Sequence, residues 1–195
     1  WADINLIYPI KQFKSISYND RLIFQYAGNI GRAQGIINLV DAIKKNNSSQ
    51  FEFHFYGKGA YLNYILKSDA ENILYKGNFT RKESNKYLNF CDIAIVTLEK
   101  NMIGLGVPSK TYNILSAGKP ILYIGNINSE IGLLIKENNL GYIAEPGNVV
   151  SISEGIKWYL NLSKSQIRVI KTNCRNVILE KFSKEKVLKQ YSRII

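Results

Sequence analysis

The 195 residues predict an α/β domain built on a doubly wound parallel sheet, with extra helices at its C-terminal end. Three observations carry that prediction. Short apolar runs rich in strand formers alternate with segments whose apolar residues recur at helical spacing. The run Ile93 to Leu98 is almost unbroken in its apolar character, as in a strand buried on both faces. Glycine-bearing turns follow the first, second and fourth of the strand-like runs, where such a sheet binds its ligands.

Taken in order, Trp1 to Asp20 lacks periodicity, carries Pro9 and reads as a linker. Leu22 to Tyr26 is the first strand, and Ala27 to Gly35 is a glycine-punctuated turn. Ile36, Ile37, Leu39, Val40 and Ile43 then mark a helix. Phe51 to Tyr56 is a second strand, closed by Gly57-Lys58-Gly59. Tyr61, Leu62, Ile65 and Leu66 give a helix, Ile73 to Tyr75 a third strand, and Lys82 to Phe90 a short helix. Ile93 to Leu98 is the fourth strand and Ile121 to Ile124 the fifth. A helix near Ser129 to Lys136 precedes a last strand at Gly141 to Ala144. From Val150 the chain reads as helix, about Lys164 to Phe182 and Lys184 to Arg193 included. The expected division is a linker over 1–20, the sheet domain over 21–160 and C-terminal helices over 161–195. Strand-helix alternation at this spacing implies right-handed crossovers and parallel strands.

The stretch from Met102 to Pro120 organises the rest. Gly104 and Gly106 allow close backbone approach, and Pro108 suits a first helical position. A helix of about ten residues follows, with Ile114, Leu115 and Ala117 toward the sheet. Gly118 fits a left-handed cap and Pro120 stops continuation. A helix start gathers unpaired N–H groups, which favour anions, and Lys110 adds a full charge. This loop and helix end are expected to hold a diphosphate.

Composition narrows the classes. At 195 residues one domain is expected, with two small ones as the alternative, and the apolar fraction, 46%, is ordinary for a globular protein with a real core. No apolar run reaches the roughly 18 residues of a transmembrane helix. The start lacks both an initiating Met and the pattern of a signal peptide, so an excised segment of a longer chain is expected. Cys91 and Cys174 match no metal or redox spacing and read as thiols of a reducing cytoplasm. No His, Cys, Asp and Glu cluster has metal-ligand spacing. The net charge of +11 admits nucleic acid, an anionic membrane or an anionic small molecule. The lysines are spread along the chain, which fits a general positive field better than a nucleic-acid stripe.

Together the loops resemble the C-terminal half of a retaining GT-B glycosyltransferase of the group 1 family. The residues that carry the resemblance are Trp1-Ala-Asp, Tyr26-Ala-Gly-Asn-Ile-Gly-Arg-Ala-Gln-Gly35 and Phe55-Tyr-Gly-Lys-Gly59. Gly77-Asn-Phe through Cys91-Asp92-Ile and Val107 through Pro120 complete it, in the right order and spacing. The first loop is similar to that of the branch acting on amino- and deoxysugars for bacterial surface glycans. The resemblance implies a Rossmann-like donor domain without a cofactor or metal, taking a nucleotide-sugar, UDP-sugar first. It also implies catalysis in a cleft against an N-terminal acceptor domain, with a lipid-linked sugar as a frequent acceptor. A cytoplasmic place on the inner membrane face is then expected, and this half alone should not turn over. Carried over residue by residue, the donor contacts are Gly28, Asn29, Gly31, Arg32, Gln34, Gly57, Gly77, Asn78 and Phe79. From the central stretch they are Gly106, Val107, Pro108, Ser109, Lys110 and Asn113. No catalytic residue is assigned.

The sequence departs from the family where charge is concerned. Asn113 stands where the family's second Glu holds the ribose hydroxyls, and Asn29 and Gln34 stand where the first loop often has Arg and Lys. Weight shifts to backbone N–H groups, Arg32 and Lys110. Two readings stay open for Lys110 and Arg32, phosphate ligand and solvated surface charge. His54 falls mid-strand and reads as structural, Cys91 as core, and Tyr112 as core rather than base stacking. Phe79 and Arg81 flank the place of the family's base. Trp158 and the helices after it are expected to pack on the absent domain. A basic α/β module that binds nucleic acid or an acidic partner is the competing function. It leaves the ordered glycine loops unexplained. A dinucleotide oxidoreductase is disfavoured, because Gly28-Asn-Ile-Gly31 lacks the Gly-x-Gly-x-x-Gly spacing.

Overall fold

The computed structural model describes residues 1–10, 21–100 and 108–192. Six parallel strands form one sheet in the order β3-β2-β1-β4-β5-β6. They are β1 (Leu22–Ala27), β2 (Phe51–Tyr56), β3 (Ile73–Tyr75), β4 (Ile93–Thr97), β5 (Ile121–Ile124) and β6 (Gly141–Ala144). The helices between them are α1 (Ile36–Lys45), α2 (Leu62–Leu66), α3 (Ser84–Phe90), α4 (Lys110–Ser116) and α5 (Glu130–Asn138). After β6 come α6 (Val149–Leu160), α7 (Lys164–Val177), a π turn (Ile178–Phe182) and α8 (Lys184–Tyr191). The doubly wound sheet and all six strands are as the sequence predicts.

Strand alternation splits the core into two layers. Phe24, Phe53, Phe55, Ile93, Ile95 and Leu122 face α1 and α6, with Phe24 and Phe53 stacked at 5.1 Å. Ile23, Ala94, Val96 and Tyr123 face the other way, onto α4, α5 and α7. Burial on both faces is what makes these strands read as continuous apolar runs. The chain reverses its winding between β1 and β4, which are paired directly through Phe24 with Ile93, Gln25 with Ala94 and Tyr26 with Ile95. In such a sheet the crevice for ligands opens outside the carboxyl ends of those two strands.

Several details differ from the sequence reading. α4 is one turn shorter than expected and begins at Lys110 with Ser109 as its N-cap residue. Pro108 is therefore not the first helical residue. It lies before the cap, where its carbonyl accepts from the Thr111 N–H at 2.9 Å. Gly118 does take the left-handed conformation (φ 68°) just past the helix, and Ile114, Leu115 and Ala117 are buried. The helix expected over about Lys164 to Phe182 changes from α to π at Ile178. The described part of the N-terminal linker is tied down by side chains. Asn85 and Asn89 accept from the Tyr8 and Ile10 N–H groups, and the Ser116 hydroxyl donates to the Ile7 carbonyl at 2.6 Å. Ala2 and Ser183 form a parallel bridge.

Trp158 is half-buried against Tyr142 and Tyr159 of this chain. α7 buries Ile167, Ile170, Cys174 and Val177 in the chain's own core and leaves Val169 exposed. α8 has no buried side chain, and Leu188 and Tyr191 stand in solvent. Among the described residues no helix is long and apolar enough to cross a membrane.

Candidate functional site

A cleft of about 510 Å³ opens at the carboxyl ends of β1 and β2 and runs down between α3 and α4. Its rim is made by three loops laced edge to edge. The Gly28 N–H donates to the Tyr56 carbonyl, the Ile30 N–H to the Lys58 carbonyl, and the Gly57 N–H to the Gly77 carbonyl. Sheet-like pairing thus continues past the strands into the turns. Gly57 makes this possible: its φ is +138°, and a Cβ there would overlap the Gly28 carbonyl oxygen. A Cβ on Gly59 would meet the Ile30 carbonyl in the same way. The Gly-Lys-Gly turn is glycine because one loop lies against another, and the lacing fixes where the Gly28 turn stands.

Lys110 comes in from α4 on the far side. The residue is half-buried, yet its ammonium is enclosed by the tops of β1 and the Gly28 turn. It lies 4.3 Å from the centre of the Tyr26 ring and makes one long contact, 3.4 Å, with the Ala27 carbonyl. No carboxylate pairs with it among the described residues. Burial pushes its pKa down to about 8. Tyr26 is fully buried, and its hydroxyl donates to the Asn29 carbonyl at 2.6 Å. One side chain therefore supports both the cation and the turn opposite. Burial raises the Tyr26 phenol to about 12, so it is a neutral donor at every working pH.

The structure brings Gly28, Asn29 and Gly57 to the cleft from the β1 and β2 loops, and Asn78 and Phe79 from the loop after β3. Lys110 and Asn113 reach it from one face of α4, three residues apart. Gly31, Arg32, Gln34, Gly77, Pro108 and Ser109 stand off its lining. Arg32 is exposed on the short 3-10 turn Arg32–Gln34, and the Asn29 and Gln34 side chains close over Gly31. Gly106 and Val107 lie outside the described residues.

Sequence reasoning missed the strand residues of the wall. Gln25, Tyr56 and Ala94 line it, and Leu88 and Ile114 close it from α3 and α4. Tyr56 belongs to an aromatic group with Phe79 and Tyr87, whose two rings are stacked at 4.7 Å. The signal was the polar Gln25 in the middle of an apolar strand, with small Ala94 on β4. His54, also mid-strand, is structural as read: its Nε2 pairs with the Glu52 carboxylate at 2.9 Å. Among the described residues no three of His, Cys, Asp and Glu are grouped to hold a metal ion.

Residues 8–175 match the family described as glycosyl transferases group 1. The chain belongs to that family. As a group 1 glycosyl transferase it has the Rossmann-like, nucleotide-sugar-binding type of GT-B domain, and it is similar to bacterial surface-polysaccharide transferases. It is 34% identical over 198 residues to WbjE of Pseudomonas aeruginosa, described as a probable glycosyltransferase, covering 94% of this chain and 50% of that protein. It is 25% identical over 178 residues to WcaI of Escherichia coli K12, named for glycosyl transfer in colanic acid biosynthesis, covering 89% and 42%. This group 1 chain thus spans about half the length of the curated relatives it matches. The crystal structure of Anabaena HepE with UDP and glucose shares its fold. The TM-score is 0.76 at 14% identity, over 99% of this chain and 54% of that one.

Proposed function

We propose that this chain is the donor half of a retaining glycosyltransferase that takes its sugar from a nucleoside diphosphate, uridine diphosphate first. The acceptor is a glycan or lipid-linked sugar in bacterial surface-polysaccharide synthesis, met at the inner face of the cytoplasmic membrane. One observation carries the donor reading. Lys110 keeps an enclosed ammonium, without a carboxylate partner among the described residues, facing the Gly28 turn at the switch point of the sheet. A buried charge with no counter-ion is costly, and a dianionic diphosphate supplies the missing partner.

In this reading the diphosphate lies between Lys110 and the Gly28–Asn29 backbone. Asn113, on the same face of α4, takes the ribose hydroxyls, and the base goes toward Asn78 and Phe79. Transfer breaks the bond from the anomeric carbon to the terminal phosphate oxygen, and the diphosphate leaves with the electron pair. The Lys110 charge stabilises that leaving anion as its charge grows. The HepE structure contains UDP and glucose, which supports UDP as the first candidate. The acceptor site belongs to the other half of the enzyme, so the 195-residue chain binds donor without turnover.

The test is calorimetry and thermal melting of the 195-residue chain with UDP, GDP, dTDP and ADP, each against its nucleoside. A diphosphate present at about 100 times its Kd should stabilise the chain by about 2.7 kcal/mol. No stabilisation by any diphosphate at millimolar concentration would sink the reading.

A further inference from the structure

We infer that Gln25 reads the edge of the donor's base from the β1 wall of the cleft. The inference rests on the donor reading above and adds a specificity residue to it.

Gln25 is only 2% exposed, yet its Oε1 has no hydrogen-bond partner among the described residues, and the residue lines the cleft. A buried, unpaired amide oxygen is an unfavourable arrangement that native interiors rarely keep. Its strand neighbours do not relieve it. In register, Gln25 stands beside His54 on β2 and Ala94 on β4. His54 directs its Nε2 to Glu52, and Ala94 has no polar group. Ala94, Leu88 and Ile114 line the same cleft as Gln25 and give it apolar surface. Apolar walls with a buried donor-acceptor group between them suit a flat heterocycle, whose ring packs on the walls and whose polar edge meets the amide.

Position along the strand agrees. Gln25 and Ala27 point to one face of β1, two residues or about 7 Å apart. The Lys110 ammonium contacts the Ala27 carbonyl. A diphosphate at Lys110 thus leaves room for a ribose before a base reaches Gln25. Tyr56 and Phe79 line the same cleft.

The experiment compares the 195-residue chain with Gln25→Met, which keeps length and removes the amide, and with Gln25→Glu. Kd values for UDP, dTDP, GDP, ADP and inorganic pyrophosphate are measured by calorimetry, with melting temperatures of the free chains. For wild type, one base should be preferred by about tenfold or more, the worth of a satisfied buried amide pair. Gln25→Met should reduce that preference to less than about threefold, leave pyrophosphate unchanged, and melt at or above the wild-type temperature, since an unpaired amide has been removed. Three results overturn the inference: a base preference that survives Gln25→Met, equal loss of pyrophosphate and nucleotide, or a lower melting temperature for Gln25→Met with binding intact. The last would make Gln25 a structural group. If wild type binds every diphosphate alike, base reading by Gln25 fails while the donor site stands. If it binds none, the donor reading fails with it.

Discussion

Replacing Lys110 with Met should make the free chain more stable and the donor complex weaker. The ammonium is held at about 8, against an ordinary 10.5, because burial disfavours its charged form. Keeping it protonated at pH 7 costs the folded state about 3 kcal/mol. Lys110→Met keeps the stem and removes the charge, so the gain is about 3 kcal/mol, or about 6–12 °C in Tm for a chain of this size. The sign follows from linkage. Between pH 8 and 10.5 the folded chain has released the Lys110 proton and the unfolded chain still holds it. Wild-type stability therefore rises with pH in that window, and the gap to Lys110→Met closes. Binding moves the other way. From pH 7 to 9 the protonated fraction falls about tenfold, and wild-type affinity for UDP should fall about as much more than that of the variant. Melting curves at pH 7 and 10, with UDP calorimetry at pH 7 and 9, check both halves. A variant less stable than wild type at pH 7 would refute the reasoning, because the ammonium would then already be satisfied without a ligand.

Gly57→Ala should destabilise by about 3 kcal/mol or more, because its Cβ would overlap the Gly28 carbonyl at a positive φ; chemical denaturation measures it. Tyr26→Phe keeps the ring beneath Lys110 and loses the bond to the Asn29 carbonyl. It should cost about 1 kcal/mol of stability and weaken UDP more than uridine in calorimetry. Lys119→Met should cost about 3 kcal/mol in the same denaturation assay, since the buried ammonium donates to the Asn89 and Cys91 carbonyls at 3.0 and 2.9 Å and both would be left unpaired. Lys110 and Lys119, nine residues apart, should thus respond in opposite directions to the same substitution.

That contrast marks where sequence reading stopped. Both lysines look alike in the run from Val107 to Pro120, and only the surroundings of each head group separate a staple on two carbonyls from a cation with no carboxylate partner among the described residues. The same holds for the glycines. Gly57, a donor contact by resemblance, does line the cleft, but the side where a Cβ would stand is taken up by the neighbouring loop. Arg32, the cation nearest the first glycine turn in sequence, is turned to solvent by the 3-10 turn that holds it, while Lys58, given no role from sequence, lines the cleft.

By itself the sequence determined the order of strands and helices, the parallel sheet, and which loops crowd its carboxyl end. Those features follow from local periodicity and turn chemistry, which are written in neighbouring residues. What only the tertiary structure decided is which side chains meet across that end: Lys110 over Tyr26, Gln25 beside Ala94, and the lacing of Gly28 to Tyr56 and of Gly57 to Gly77. These contacts join residues tens of positions apart. They depend on strand register and on the depth to which α3 and α4 pack, and neither quantity has a local signature in the chain.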